Sequence, residues 1–392
     1  MRILHVCEVT HGGVLTLVET IAAHQVARGD EVHVLAPLPA LAALAKRDSR
    51  IVCHPWAPQR RPSQWRVASA TLRVAAREIA PDVAHLHSFF PGIFGRVAHL
   101  PPGVRVVYQP HSWAFTAAAA AGRGGERAVA AWERRAWHRT DAVVVNCHDE
   151  LAEGGAHGLP VGDGRGHVVG LPVDTERYHP SWRPPVPRRP VLLCVGRLCR
   201  QKGQEELAAA WEEAPIPDAT LVLLGAGDPR AVRAAARHTW GGSLRWFDAT
   251  DDVRPWLHAS DVLVMASRYE GQSVAMAEAL ACGLPVVTTE VNGVREAVAP
   301  LGRPTAGAVV GHGDLTALLD ACRERLVDPS ILAREREAAR ARAVELFDVE
   351  GVLGRLDRAY ARDVRVAPPS ALRVTVPAAG DPAGRVRAGV AR

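Results

Sequence analysis

Residues 262 to 288 read Val262-Leu263-Val264-Met265-Ala266-Ser267-Arg268-Tyr269-Glu270-Gly271-Gln272-Ser273-Val274-Ala275-Met276-Ala277-Glu278-Ala279-Leu280-Ala281-Cys282-Gly283-Leu284-Pro285-Val286-Val287-Thr288. An apolar run, a polar loop, a short alanine-rich segment and a second apolar run predict strand, helix, strand. Strands joined through a helix run parallel, and parallel strands are covered by helices on both faces. Ligands of such sheets bind outside the carboxyl ends of the strands. Glu270 falls in the loop at that edge, and Glu278 lies about one and a half turns into a helix beginning near Gln272. A carboxylate accepts two hydrogen bonds and suits sugar or ribose hydroxyls, while the N–H groups of Gln272, Ser273 and Val274 are donors for phosphate. A solvent-facing glutamate is the plain alternative for Glu278. Ala275, Ala277, Ala279 and Ala281 count against it, because they let this helix lie close to a ligand or sheet.

The same alternation extends along the chain and occurs twice. Before the quoted stretch, Val191 to Val195, Ala219 to Leu224 and Leu244 to Phe247 are predicted strands, and Gly307 to Val310 follows it. The first half supplies Ile3 to Val6, Glu31 to Leu35, Val83 to Leu86, Val104 to Tyr108, Ala142 to Asn146 and His167 to Val169. A helix opening after Gly13 carries Val14, Leu17, Val18 and Ile21 at helical spacing and stops at Gly29. The fold class is therefore α/β, with two Rossmann-like doubly wound domains facing across a cleft. Four prolines between Ser181 and Pro190 forbid a helix or a central strand. Expected boundaries are 1–180 for the N-terminal domain, 181–190 for a linker and 191–348 for the C-terminal domain. A helix over 349–362 is expected to cross back, and 363–392, without sustained periodicity, is expected to be a disordered tail.

Two further loops offer anion sites. Strand one leads into His11-Gly12-Gly13 at the start of a helix, where backbone N–H groups approach a phosphate without side-chain obstruction; a plain tight turn explains the glycines equally well. The second domain opens with Val195-Gly196-Arg197-Leu198-Cys199-Arg200-Gln201-Lys202-Gly203, putting Arg197 and Lys202 between a buried strand and a helix. Arginine holds phosphate through its fork, lysine adds a mobile point charge, and both offset charge on a leaving group.

Gly-Arg-Leu-x-x-x-Lys-Gly from 196, Glu-Gly at 270, the second glutamate at 278 and Ala-Cys-Gly-Leu-Pro-Val-Val from 281 together resemble the retaining glycosyltransferases of family 4, which have the GT-B fold. The resemblance extends to Gly12-Gly13, to Pro81 through His87, to Asp174 through Pro180 and to Ala259 through Val264. It implies that Arg197 and Lys202 contact the donor diphosphate, that Glu270 lies near the transferred sugar and that Glu278 holds the ribose. A first-domain histidine reaches the reacting sugar in this family. His111, in Tyr108-Gln109-Pro110-His111-Ser112-Trp113, matches it best; His85, His87 and His148 compete. Gln272 and Ser273 replace bulkier residues common after Glu-Gly, and Leu171-Pro172 stands where Asn-Gly is usual.

The implied function is retaining transfer from a nucleotide-diphosphate sugar, UDP-linked first and GDP-linked second, to a hydroxyl of a saccharide, lipid-linked saccharide or natural product. A sugar-nucleotide epimerase is the alternative. No metal or other cofactor is expected, since Asp248, Asp251 and Asp252 read as a loop and helix cap rather than a ligand pair. The net charge of +5 is spread along the 392 residues, so a nucleic-acid partner is not expected. The apolar runs are too short for a membrane span and the N-terminus lacks a signal-peptide pattern, so a cytoplasmic protein with room for peripheral contact at the inner membrane face is expected. Seven cysteines, an odd number without metal-ligand spacing, read as reduced packing residues.

Overall fold

The computed structural model describes residues 1–58, 60–122, 124–181 and 189–361. Most of the proline-rich linker, residue 362 and the expected tail 363–392 lie outside them. The first sheet contains β1 (Arg2–Val6), β2 (Glu31–Ala36), β3 (Val52–Pro55), β4 (Val83–His87), β5 (Arg105–Gln109), β6 (Ala142–Val145) and β7 (Gly166–Val168). Their spatial order is β3-β2-β1-β4-β5-β6-β7, and every pairing is parallel. The second contains β8 (Val191–Val195), β9 (Thr220–Leu224), β10 (Leu244–Phe247), β11 (Val262–Met265), β12 (Val286–Thr289) and β13 (Gly307–Val310). Its order is β10-β9-β8-β11-β12-β13, again parallel throughout. In both sheets the order reverses beside the first strand, so β1 and β4, and β8 and β11, flank a crevice at their carboxyl ends.

The strands β4, β6, β11 and β12 are buried at every position, which accounts for the unbroken apolar runs of β6 and β11, while β4 carries His85 and His87 into the interior. Strand β3 is the one the sequence pattern did not single out. It is an edge strand of four residues, Val-Cys-His-Pro, none fully buried, so neither an apolar run nor a second neighbour marks it. Helix Gly13–Ala27 ends as expected, with Gly29 at φ 93° and the Asp30 N–H donating to the Gln25 carbonyl, a left-handed helix terminus.

Three helices follow β13: Leu315–Val327, Pro329–Phe347 and Val349–Tyr360. The second packs on helix Val274–Ala281, whose Ala277, Ala279 and Ala281 are wholly buried; the alanines make room for it. The third returns to the first sheet and lies against β5, β6 and β7. There Arg105 donates to the Ala359 carbonyl, Arg355 to the Val169 carbonyl, and Arg28 pairs with Asp357 at 2.9 Å. Val352, Leu353 and Leu356 bury the helix's apolar face. Leu353→Ala should therefore lower the free energy of unfolding by about 2–5 kcal/mol, read from the urea transition; a loss below about 0.5 kcal/mol, the usual range for a surface change, would mean that this helix is not docked.

Candidate active site

The loop after β8 is shaped before any ligand arrives. Gly203, at φ 68°, lies so close to the chain following β11 that an added Cβ would sit 2.1 Å from the Ala266 carbonyl oxygen. Gln204 fills the loop, its amide donating to the carbonyls of Gly196 and Arg197 at 3.1 and 2.9 Å. The Lys202 stem folds over Gly196, and its Nζ reaches Glu270 Oε1 at 2.5 Å. Ser267 Oγ donates to the same oxygen at 2.8 Å. Glu270 is buried, and a buried carboxylate requires this pairing. Arg197 is exposed, with its Nε 3.9 Å from where a Gly12 Cβ would stand.

Helix Val274–Ala281 begins at Ser273, whose Oγ accepts from the Met276 N–H at 3.4 Å. Four residues beyond Val274 on the same helical face, Glu278 is 8% exposed. Burial pushes its carboxyl up from 4.5 to about 7, against the Tyr178 hydroxyl and the Arg177 charge, which favour the ionised form. Arg340 ties this corner together, donating to the carbonyls of Thr175, Tyr178 and Ala281.

Besides Gly12, the first domain meets this edge at Gly13 and around Gly271. Gly13 packs on Val274, whose Cγ2 lies 3.1 Å from the position of a Gly13 Cβ. At Gly271 an added Cβ would fall 2.6 Å from the Ser112 nitrogen and 2.7 Å from the His111 carbonyl carbon. Cys147 donates its thiol to the Gly271 carbonyl at 3.1 Å. The His111 loop is held in an unusual shape, with φ 57° at His111 and 102° at Ser112. Fully buried Glu150 fixes it: its side chain accepts from the Ser112 and Asn146 N–H groups at 2.6 and 2.8 Å, while its carbonyl accepts from the Trp113 indole at 2.7 Å. Burial pushes the Glu150 carboxyl up to about 7, although those two N–H groups favour its charged form.

Gly12 thus faces Arg197, Gly13 faces Val274, the His111 backbone lies on Gly271 and Lys202 pairs with Glu270, while Glu278 is buried further along the same helix as Val274. Gln272 and Ser273 are buried. The Gln272 amide points sideways, 3.4 Å from Glu296, and packs by Gly293 and Cys147. His85 and His87 are sealed inside the first sheet, His148 pairs with Glu296 at the rim, and His111 is partly exposed with its backbone against Gly271. Asp252 pairs with Arg254 and Asp251 faces Lys46. Among the described residues, the cluster of three metal-capable side chains is His5, His85 and His87, in the sheet interior rather than beside Arg197.

Sequence reasoning did not single out Glu150, Gln204, Ser267, Arg177 or Tyr178. Glu150 had a signal: Cys147 caps helix His148–Ala156 by accepting from the Glu150 N–H, a capping-box spacing with cysteine in place of serine.

Residues 189–328 match the family described as "Glycosyl transferases group 1", and residues 11–177 match "Glycosyltransferase Family 4". An α-maltose-1-phosphate synthase of Mycolicibacterium smegmatis is 31% identical over 336 residues, 77% of this chain and 85% of that protein. The chain belongs to glycosyltransferase family 4. A D-inositol 3-phosphate glycosyltransferase of Xylanimonas cellulosilytica is 30% identical over 66% of this chain and 67% of its own length. Anabaena HepE, solved with UDP and glucose, shares the GT-B fold at a TM-score of 0.77 and 19% identity, covering 91% of this chain and 98% of that one. The glycosyltransferase therefore has two Rossmann-like domains with the residues above at their junction.

One pH dependence follows from Glu278. Its folded carboxyl titrates near 7 rather than 4.5, so between those values the native state holds more proton than the unfolded chain, and stability falls as pH rises through the window. Glu278→Gln removes that contribution. The melting temperature of the wild type should decline relative to the variant from about pH 4.5 to about pH 7 and run parallel above it; parallel curves throughout would show that Glu278 is not desolvated.

Proposed function

We propose that this glycosyltransferase is a retaining hexosyl- or N-acetylhexosaminyltransferase that takes its sugar from a UDP-linked donor and gives it to a hydroxyl of a saccharide, lipid-linked saccharide or natural product in the cytoplasm. The observation that carries the reading is the backbone contact of Gly271 with His111–Ser112, which brings a first-domain histidine to the edge where Lys202 and Glu270 pair. The names of the relatives, with sugar and inositol phosphates among them, and the UDP and glucose held by HepE support it. The families matched are transferases, so the epimerase alternative is not carried forward.

In this reading Arg197 and Lys202 offset charge on the departing diphosphate, aided by N–H groups at Gly12, Gly13, Gln272, Ser273 and Val274. Glu270 accepts from hydroxyls of the transferred sugar, Glu278 from the ribose, and His111 faces the sugar from the acceptor side. The bond from the anomeric carbon to phosphate oxygen breaks while the acceptor oxygen bonds on the same face, and the acceptor proton passes to the leaving phosphate. With two cations and helix ends facing the phosphates, charge is offset without a divalent ion. Among the described residues no helix is long and apolar enough to cross a membrane, which leaves lipid-linked acceptors to be met at a membrane surface.

Arg197→Ala and Lys202→Ala should each lower turnover by roughly 10²–10³-fold, the usual effect of losing one group that stabilises transition-state charge. Initial rates with UDP-hexoses and a saccharide panel test this, and the anomeric coupling of the product tests retention. Unchanged rates in both variants would remove the assigned leaving-group role.

A further inference from the structure

His111 is the outer end of a buried hydrogen-bonded row. Gln25 Oε1 lies 2.8 Å from His5 Nε2, His5 Nδ1 lies 2.9 Å from His87 Nε2, and His87 Nδ1 lies 3.1 Å from His111 Nε2. The interplanar angle is 26° between the rings of His5 and His87 and 17° between His87 and His111. Gln25, His5 and His87 are fully buried. The strand pleat produces the row: β1 pairs His5 with His85 on β4, and His87, two residues on, projects from the same face. Helix Gly13–Ala27 covers that face and supplies Gln25. His85 packs beside His87 with centroids 4.0 Å apart, and the Tyr360 hydroxyl holds it at 2.8 Å.

A neutral imidazole has one N–H and one bare nitrogen, so a row of them can donate in only one direction. Burial keeps the row neutral: His5 is pulled down to about 4 and His111 to about 3, and His87 also titrates well below its ordinary range. The Gln25 carbonyl accepts and cannot donate. With the Gln25 carbonyl rather than its NH2 group toward His5, His5 carries its proton on Nε2 and accepts on Nδ1 from His87. His87 in turn carries its proton on Nε2 and accepts on Nδ1 from His111. The His111 proton is thereby fixed on Nε2, and its bare Nδ1 has no partner among the described residues and is not sealed from solvent.

We propose that Gln25, His5 and His87 are positioning residues that hold His111 in its Nε2-protonated tautomer, so that Nδ1 accepts a hydrogen bond from a hydroxyl of the transferred sugar. This rests on the reading of His111 as facing that sugar. The row acts through His111 and touches no reacting atom; its contribution is a fixed direction of hydrogen bonding.

Nitrogen NMR of the full chain labelled with 15N-histidine tests it, with the His111 signals assigned by their loss in His111→Ala. The expected result is a bare Nδ1 and a protonated Nε2 at His111 in the unmodified protein. Gln25→Met, which removes the terminal acceptor with little change in shape, should mix the two tautomers and lower kcat roughly tenfold, the weight of about one hydrogen bond, with the donor KM unchanged. A proton on His111 Nδ1 in the unmodified protein overturns the proposal even if Gln25→Met does not fold. Unchanged tautomer and kcat in a folded Gln25→Met overturn the role of the row. Full turnover in His111→Ala would instead overturn the reading of His111 at the sugar, a failure separable from the tautomer measurement.

Discussion

Gly271 is held so closely between Glu270 and the His111–Ser112 backbone that any side chain there would separate the two domains. The constraint is steric first and electrostatic second. Glu270 keeps its buried charge because Lys202 and Ser267 meet the same oxygen, and the first domain keeps its loop because Glu150 binds two of its N–H groups. Removing one partner from either arrangement would leave a buried polar group unmatched, a cost of about 1–3 kcal/mol or more.

The fold was largely legible because its signal is hydrophobic. Strands buried on both faces leave apolar runs such as Ala142–Val145 and Val262–Met265, and helices between them leave a different period. Strand β3 escaped because an edge needs no such run. Of the site, the glycines and charges at the strand ends were legible, since each sits in a loop between recognisable elements. What escaped were the groups that hold those residues in place. Gln204 and Ser267 look like ordinary polar loop residues until the backbone turns them inward, and Glu150 shows only its capping spacing. Arg177 and Tyr178 meet Glu278 from a segment about a hundred residues earlier in the chain, a pairing no local pattern contains.

The interior of the first sheet is unusually polar for a parallel sheet. His5, His85, His87, Gln25, Gln109, Asn146 and Glu150 are all buried, and most of them lead toward the His111 loop. An apolar replacement would pack as well and would say nothing about which nitrogen carries a proton. Neutral imidazoles and a neutral amide carry direction without charge, so they avoid the solvation penalty that a buried ion pair would bring.

Where the chain leaves the first domain and where it returns, the two segments lie side by side. Val173 donates its N–H to the Phe347 carbonyl at 2.7 Å and accepts from the Val349 N–H at 3.0 Å, while Thr175 binds Asp348 at 2.5 Å. Two covalent crossings stitched together behave like the spine of a book. Bending along that line would leave these hydrogen bonds intact, whereas sliding one segment past the other would break them.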